Sequence, residues 1–386
     1  MKVVIAPDSF KGSLNAIDVA SSINQGVKKA YPNAETTLVP VADGGEGTMS
    51  TLIAATNGIT KKTTVIGPLG ENLEAEYGVL GDHKTCVIEM ATASGLDLVP
   101  KEKLSPLRAT TYGTGQLIKD ALDNGYRSFI LAVGGSATND GGMGMLQALG
   151  LKVLDRDGNE IGFGGGELGK VHSIDLKTLD RRISNCSFLI ASDVQSPFIG
   201  PSGASYVFGP QKGAKPNEVK ILDDNLSHWA DEIEKATGIH LHNLPGAGAA
   251  GGIGGAFLAF FPAKMRPGIE VVLEYCQLDK ALENADVVIT GEGKVDFQTA
   301  SGKTPLGVAK AAMKKNVPTI IVAGSVGKGT DVLYDYGIVS INSIAKEPMT
   351  LEESMNRTAE LLAYSSEQVI RSYFYLATKG RSFLCK

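Results

Sequence analysis

Residues 1–13 read MKVVIAPDSFKGS, and the fold of this chain is first visible there. The apolar run at residues 2–6 predicts a buried β-strand, and Ser13 fits the N-cap of a helix whose apolar residues recur at helical spacing. A second strand at residues 36–39 leads into the loop ADGGEGT and a helix near residues 46–56. Two successive β-loop-α units predict a parallel α/β sheet, in which ligands bind at the carboxyl ends of the strands.

The middle of the chain has a different pattern. Short strands separated by glycine-containing turns predict an antiparallel or mixed sheet there, whereas the last third returns to alternating strands and helices. The predicted strands are 62–66, 75–80, 85–90, 129–133, 187–191, 286–290, 319–323 and 338–341, and the predicted helices are 113–123, 217–237, 303–314 and one from about 351.

These patterns predict an α/β protein of two domains. A discontinuous Rossmann-like three-layer domain with a parallel sheet would comprise residues 1–60 and 270–386. A large inserted α/β domain with a mixed sheet would comprise residues 61–269, and residues 110–150 suit either domain. We expect the active cleft between the two domains, which is a frequent place for ligand sites.

Composition excludes several classes of function. The chain has 386 residues, a net charge of −5 and no long Lys/Arg block, which argues against nucleic acid or an anionic membrane as a partner. It contains no apolar run of transmembrane length, and its N-terminal apolar segment is too short for a signal peptide. The four cysteines are scattered without CxxC spacing, so we expect reduced thiols and a cytoplasmic location.

Charged residues framed by glycines recur along the chain. They stand in the segments 8–13, 42–48, 134–142 and 291–296. Glycine lets backbone N–H groups approach an anion, and carboxylates beside such loops can hold a divalent metal. Together the segments indicate phosphate chemistry, with backbone donors and lysines for phosphoryl oxygens and carboxylates for Mg²⁺.

Three other motifs are weaker signals. Residues 246–251 match GxGxxG, but no clear strand precedes them, so tight backbone packing or a phosphate-facing loop is favoured over a dinucleotide site. The Gly-Lys-Thr at 302–304 lacks the first glycine of a Walker A loop, although it can still open a helix onto a phosphate. His240 and His242 could bind a metal, but no third ligand is near them in sequence.

Seven motifs together resemble those of the bacterial glycerate kinase family, of the type called glycerate kinase I. In the order of the family and over essentially the whole chain, they are DSFKGS at 8–13, ADGGEGT at 42–48, TYGTGQ at 111–116, GGSATNDGG at 134–142, PQKGA at 210–214, PGAGAAGGIGGA at 245–256 and TGEGKVD at 290–296. The resemblance implies ATP-dependent phosphorylation of D-glycerate with Mg²⁺. It favours 2-phosphoglycerate as the product, with 3-phosphoglycerate or a related hydroxy-acid kinase as the alternative. Residues 375–386 match no motif and receive no function.

The chemistry of such a reaction gives hypothetical roles to the clusters. A kinase must hold the substrate carboxylate, accept a hydroxyl proton and neutralise phosphoryl charge. Asp193 or Asp296 would accept the proton, and the third candidate catalytic residue, Lys294, would bind phosphoryl or carboxylate oxygens. The candidate Mg²⁺ ligands are Asp8, Asp43 and Glu46. The candidates for substrate or phosphate binding are Ser9, Lys11, Gly44, Gly45, Ser136, Thr138, Asn139, Gly291, Gly293 and Lys303.

Competing interpretations remain open at this point. One is a nicotinamide-dependent dehydrogenase, which depends on the GxGxxG match alone. Another is a ligand-sensing protein that does not turn over ATP. Neither the sequence pattern nor the motifs decide between a monomer and a homodimer.

Overall fold

A computed structural model describes residues 1–383, with side chains described except at residue 301 and at 376–383. Cys385 and most of the unassigned C-terminal segment therefore lie outside the described side chains. The strands are β1 (Lys2–Ile5), β2 (Glu35–Leu38), β3 (Ile59–Ile66), β4 (Asn72–Val79), β5 (Thr85–Glu89), β6 (Ser128–Ala132), β7 (Lys152–Leu154), β8 (Ser173–Asp175), β9 (Ser187–Ala191), β10 (Ala263–Arg266), β11 (Val287–Thr290), β12 (Lys294–Val295), β13 (Thr319–Ala323), β14 (Ser325–Val326) and β15 (Ile338–Ser343).

The α-helices follow the same chain order. They are α1 (Ala16–Ala30), α2 (Thr48–Thr56), α3 (Ala91–Ser94), α4 (Tyr112–Asp123), α5 (Met143–Ala148), α6 (Ala204–Phe208), α7 (Pro216–Thr237), α8 (Ile253–Phe260), α9 (Gly268–Tyr275), α10 (Leu278–Ala281), α11 (Thr304–Lys314), α12 (Leu351–Asn356) and α13 (Thr358–Phe383). Along the described residues, none of these helices is both long and apolar enough to cross a membrane.

The chain folds into two compact units. The first unit consists of Met1–Asp43 and the chain from Ile269 onward, and the second consists of Gly44–Gly268. The sequence pattern predicts residues 1–60 for the first domain, whereas the first segment of this unit ends at Asp43. In the structure α2 packs against β4 and β5 and so belongs with the second unit.

The first unit is built on a parallel sheet of order β15-β13-β11-β1-β2. The central strands β1 and β11 pair in register, with Val4 opposite Val288, and both are buried. Helices α1 and α13 pack closely together: a Cβ at Gly26 would lie 2.2 Å from the carbonyl oxygen of Ala363. Because β1 and β11 are neighbours, the loops that follow them meet at one edge of the sheet.

The second unit is built on a six-stranded sheet of order β10-β9-β6-β5-β4-β3. Strands β5, β6, β9 and β10 run parallel, whereas β3, β4 and β5 pair antiparallel. Phe129 and Phe188 stack across β6 and β9 with their ring centroids 4.7 Å apart. The buried Trp229 of α7 donates its indole N–H to the carbonyl of Gly141 at 3.0 Å. The predicted α/β fold with one parallel and one mixed sheet is confirmed.

The GxGxxG stretch is a packing element of the second unit. It leads into a short 3-10 turn, Ala249–Gly252, and the residues just before it, 239–245, form neither strand nor helix. A Cβ at Gly248 would lie 2.1 Å from the carbonyl oxygen of Pro197, and one at Gly251 would lie 2.0 Å from that of Thr138. Such close backbone contact requires glycine, so the structure agrees with the tight-packing interpretation.

Candidate active site

Asp8 lies directly beyond the carboxyl end of β1 and is buried. One carboxylate oxygen accepts the backbone N–H of Ser9 at 2.6 Å, and the other accepts the hydroxyl of Thr304 at 2.5 Å. The backbone N–H of Asp8 donates to the carbonyl of Gly291 at 2.8 Å. These bonds join the loop after β1 to the loop after β11 and to the first residue of α11.

The charge state of Asp8 reflects its surroundings. Burial raises its pKa to about 6, and the negative charge of Asp43 acts in the same direction. Hydrogen bonds from Thr304 and Ser9 and the positive charge of Lys11 partly oppose this rise. Burial, and after it the charge of Asp43, therefore disfavours the ionised form of Asp8, and a nearby cation would favour that form.

Glu292 is a second buried acid at the same edge, beyond β11. Its carboxylate accepts the hydroxyl of Thr299 at 2.7 Å. Burial, with a smaller contribution from the charges of Asp8 and Asp43, raises its pKa to about 7, although the bond from Thr299 and the charge of Lys303 act in the opposite direction. We call Asp8, Asp43 and Glu292 the acidic cluster. Asp8 and Asp43 are metal ligands predicted from the sequence. Glu292 is not among the predicted ligands, although its position between two glycines at a strand end is a visible signal.

Asp296, also beyond β11, has a lysine partner at close range. Its carboxylate lies 3.0 Å from the ammonium of the exposed Lys294, and it accepts the backbone N–H of Gln298 at 2.9 Å. The hydrogen bond from Lys294 lowers the pKa of Asp296. This side chain is thus ionised at neutral pH, as a proton acceptor must be.

The Gly-Lys-Thr segment opens α11 in the first unit. Lys303 has extended backbone geometry and precedes Thr304, the first helical residue. Gly302 has a φ of +115°, which favours glycine. The free N–H groups of a helix N-terminus attract anions, and here the helix begins beside Asp8.

Gly291, directly after β11, is required by packing, since a Cβ there would lie 1.9 Å from the carbonyl oxygen of Val322.

The remaining glycine-framed residues of the first unit lie around these acids. Ser9 is partly buried and its backbone N–H is taken by Asp8, whereas Lys11 is exposed. A Cβ at Gly293 would stand 3.6 Å from the Cα of Phe10, so the loops after β1 and β11 run side by side. The structure therefore brings the predicted first-unit residues to one sheet edge.

In the second unit, the segment GGSATNDGG follows β6. Ser136, Thr138 and Asn139 are all buried, and the amide of Asn139 donates to the hydroxyl of Ser205 at 2.9 Å. The hydroxyl of Ser136 and the carbonyl of Thr138 each accept a hydrogen bond of 2.7 Å from Lys212. Lys212 belongs to the motif PQKGA, but nothing in that motif indicates that this lysine is buried.

Asp140 ends the same segment and is fully buried. Its carboxylate accepts the backbone N–H and the hydroxyl of Thr111 at 2.8 and 2.9 Å, together with the N–H groups of Gly142 and Gly144 at 3.1 and 3.3 Å. Burial nevertheless raises its pKa. Every contact is internal to the second unit, which makes Asp140 an organising residue of this segment.

The other predicted residues of the second unit are Gly44, Gly45, Glu46 and Asp193. Gly44 has a φ of +88°, and a Cβ at Gly134 would lie 2.8 Å from the Cα of Gly45. The loop after β6 therefore touches the loop 44–47. Asp193 is exposed beyond β9 and accepts the backbone N–H of Gly268 at 3.1 Å.

Glu46 is exposed and lies near a second acid, Glu89. Glu89 accepts the N–H of Met49 at 2.6 Å at the start of α2, and burial raises its pKa to about 7. The predicted metal ligands are thus divided, with Asp8 and Asp43 in the first unit and Glu46 in the second. Of the two candidate proton acceptors, Asp296 lies in the first unit and Asp193 in the second.

The histidine pair has a third neighbour that the sequence analysis did not expect. Among the described residues, Glu234, His240 and His242 bring ligand atoms within 4.8 Å of one another. Each ring already has a carboxylate partner, since His240 contacts Glu234 at 2.8 Å and His242 contacts Asp231 at 3.0 Å. These hydrogen bonds account for the cluster. The expectation that no third candidate ligand lies near the pair was wrong, because Glu234, in the last turns of α7, lies beside His240.

Lysines, glycines and interacting acids at the strand ends of a parallel α/β sheet form an arrangement that suits phosphoryl transfer, the reaction of kinases. Residues 3–374 match the family model described as the glycerate kinase family, and the chain belongs to this family.

Similar proteins cover nearly the whole chain. A glycerate kinase of Bacillus subtilis (strain 168) is 49% identical over 96% of this chain and 97% of its own length. The glycerate 2-kinase of Escherichia coli (strain K12) is 47% identical over 96% of this chain and 97% of its own length. A crystal structure provisionally named glycerate kinase 2, from Salmonella typhimurium LT2, superposes with a TM-score of 0.87 at 44% identity and covers 99% of this chain and 100% of its own.

Proposed function

We propose that this protein transfers the γ-phosphoryl group of ATP to a hydroxyl of D-glycerate with the help of Mg²⁺. Family membership and the names of the similar proteins support the substrate and the reaction. The acidic cluster, beside the start of α11, is the structural observation that carries the proposal. Burial and the charge of Asp43 raise the pKa of Asp8 and of Glu292 at the carboxyl edge of a parallel sheet, which suits a site for a metal–nucleotide complex.

The residues of the acidic cluster fit Mg²⁺, because carboxylate oxygens are the ligands that this ion prefers. In kinases Mg²⁺ neutralises charge on the phosphate oxygens during transfer. It is usually held by one or two carboxylates together with the substrate phosphates, so a tight group of three protein ligands is not required. Asp8 and Asp43 are the proposed ligands from the sequence, and Glu292 is added by its charge interaction with both. Glu46 stays a candidate ligand.

The proposed proton acceptor is Asp296, with Asp193 as the alternative. The bond from Lys294 keeps Asp296 ionised and orients its carboxylate. Lys294, Lys11 and Lys303 are the proposed partners of phosphoryl or carboxylate oxygens. Gly44, Gly45, Gly293 and the Ser136–Asn139 segment are proposed to offer backbone and side-chain hydrogen bonds to the ligands.

We favour 2-phosphoglycerate as the product, in line with the name of the Escherichia coli relative. The experiment that tests the reaction is ³¹P NMR of the purified protein with Mg·ATP and D-glycerate. A 2-phosphoglycerate resonance is the expected result. A 3-phosphoglycerate resonance would keep the kinase and reverse the position of transfer. Formation of neither product would contradict the proposed function.

The cytoplasmic location of the protein and its state as a monomer or homodimer stay predictions.

The role of the acidic cluster has its own test. Asp8→Asn removes a charge at the proposed metal site, so we expect kcat/KM to fall at least about 100-fold and the Mg²⁺ concentration for half-maximal rate to rise. Asp18→Asn, on the exposed first turn of α1, is the matched control and should retain wild-type values. An Asp8→Asn enzyme with unchanged rate and Mg²⁺ dependence would exclude Asp8 from this role.

A further inference from the structure

Lys212 is a buried lysine in the second unit. It ends the short 3-10 turn Pro210–Lys212 between α6 and α7, and only 2% of its surface is exposed. Its ammonium group donates to the hydroxyl of Ser136 and to the carbonyl of Thr138, both at 2.7 Å. A lysine is almost never fully buried unless it is paired, so its presence here needs an explanation.

Both acceptors of Lys212 lie in the segment 134–139, which we call the β6 loop. Backbone bonds hold one side of this loop: Ala137 donates to Ser94 at 2.9 Å and Leu96 donates to Gly135 at 2.8 Å. The carbonyl of Thr138 faces the other way, toward Lys212 and the closely packed Gly251. Lys212 is therefore the side chain that ties the β6 loop to the turn before α7.

The charge of Lys212 is poorly compensated. Asp140 is the charged group that acts on it, and the carboxylate of Asp140 already accepts four hydrogen bonds from Thr111, Gly142 and Gly144. Within the described part of the chain, no carboxylate lies at ion-pairing distance from Lys212. Burial accordingly lowers the pKa of Lys212 to about 7. A hydrocarbon side chain of similar size would avoid this desolvation cost, which indicates that the hydrogen bonds themselves are needed.

We propose that Lys212 is a positioning residue that fixes the β6 loop in the conformation that meets an anionic oxygen of the substrate or of the nucleotide. The proposal depends on the proposed function, because it takes the β6 loop as part of the ligand site. Lys212 would act through Ser136 and Thr138. Its two bonds persist in either protonation state, since a neutral amine still has two N–H donors.

The test compares Lys212→Met with Lys215→Met, the same substitution at an exposed position three residues along the chain. Hydrogen exchange of the peptide that covers residues 134–139 is measured first, because it reports the local stability of the loop without reference to activity. We expect exchange at Ala137 and its neighbours to accelerate at least about tenfold in Lys212→Met and to stay unchanged in Lys215→Met. Equal exchange in the two variants would overturn the proposal.

Steady-state kinetics with ATP and D-glycerate then separate a positioning role from a general loss of stability. We expect kcat/KM of Lys212→Met to fall at least about tenfold at a temperature where circular dichroism shows it folded. The double variant Lys212→Met/Ser136→Ala should lose less kcat/KM than the product of the losses in the two single variants, because Lys212 acts through Ser136. Fully multiplicative effects, or wild-type kinetics in Lys212→Met, would contradict the proposal.

If Lys212→Met is recovered unfolded, Lys212→Gln replaces it, since the shorter amide keeps two N–H donors and no charge. Exchange of the loop in Lys212→Gln that is slower than that of an unprotected peptide but faster than wild type supports positioning by hydrogen bonds. Wild-type protection together with wild-type kinetics in Lys212→Gln refutes the need for the lysine. A wild-type enzyme that does not phosphorylate glycerate would remove the proposed function. The exchange measurement would still decide whether Lys212 holds the loop.

Discussion

Thr304 donates its hydroxyl proton to the carboxylate of Asp8 across 2.5 Å, although the two residues are 296 positions apart. The bond connects the end of the first strand, β1, with the first turn of α11. It also acts on the charge of Asp8, because a hydrogen bond to the ionised carboxylate favours that form. The Gly-Lys-Thr segment thus contributes a hydroxyl to the acidic cluster as well as a helix N-terminus.

Thr304→Val should raise the pKa of Asp8 above its value of about 6, because the substitution removes the bond and keeps the shape of the side chain. The acid limb of the pH profile of kcat/KM, which reports the free enzyme, should then move to higher pH, and activity at pH 6.5 should fall more than activity at pH 8. Thr304→Ser keeps the hydroxyl and serves as the control. An unshifted acid limb in Thr304→Val would show that Asp8 does not control it.

The buried Lys212 predicts a pH dependence of stability. Its pKa is about 7 in the folded protein and near 10.5 when exposed, so between these values the unfolded chain binds more protons. Stability that depends on Lys212 therefore rises with pH through this window and is lowest below pH 7, where both states are charged. The difference in unfolding free energy between wild type and Lys212→Met should change by up to about 1.4 kcal/mol per pH unit in favour of wild type.

Urea unfolding at pH 7, 8 and 9 measures this difference directly. Trp229 is the single tryptophan of the chain and is buried in the second unit, so its fluorescence follows the unit that contains Lys212. Lys215→Met should show a difference from wild type that does not vary with pH. A pH-independent difference for Lys212→Met as well would mean that Lys212 is not significantly perturbed in the folded protein.

The contact between α1 and α13 predicts a stability effect in the first unit. A Cβ at Gly26 would overlap the carbonyl oxygen of Ala363 at 2.2 Å. Gly26→Ala should therefore destabilise the protein by roughly 1–3 kcal/mol, even though alanine favours a helix, because the two helices must move apart. Ser21→Ala on the exposed face of α1 is the control and should be neutral or slightly stabilising. Thermal unfolding of the two variants at equal concentration measures the effect.

Elements with a strong local pattern could be predicted from the sequence. The bounds predicted for β9 and β13 agree with the structure, because both are apolar runs with many β-branched or aromatic residues that end at polar or glycine residues. Strand β10, Ala263–Arg266, was missed, since it is four residues long and contains two basic residues. It exists because it pairs in parallel with β9, a contact that no local pattern records.

The candidate site also contains some residues that the local sequence indicates and others that depend on long-range contacts. Asp8 and Asp296 were recognisable because each follows a predicted strand end in a glycine-containing loop. The interaction of Glu292 with Asp8 depends on β1 and β11 being neighbours in the sheet, a pairing across more than 280 residues. The burial of Lys212 depends on acceptors 74 and 76 positions away. Such long-range contacts lie beyond what spacing and composition can indicate.

The proposed proton acceptor gives the most direct test of the chemistry. A general base contributes about 10²–10⁴-fold to the rate, so Asp296→Asn should lower kcat by at least about 100-fold while KM for glycerate changes little. Lys294→Met should raise the pKa of Asp296, because it removes the bond that lowers it, and should move the acid limb of kcat to higher pH. Asp193→Asn is measured in parallel. Loss of rate in Asp193→Asn alone would assign the proton to that residue, and near wild-type kcat in both asparagine variants would exclude a carboxylate base at either position.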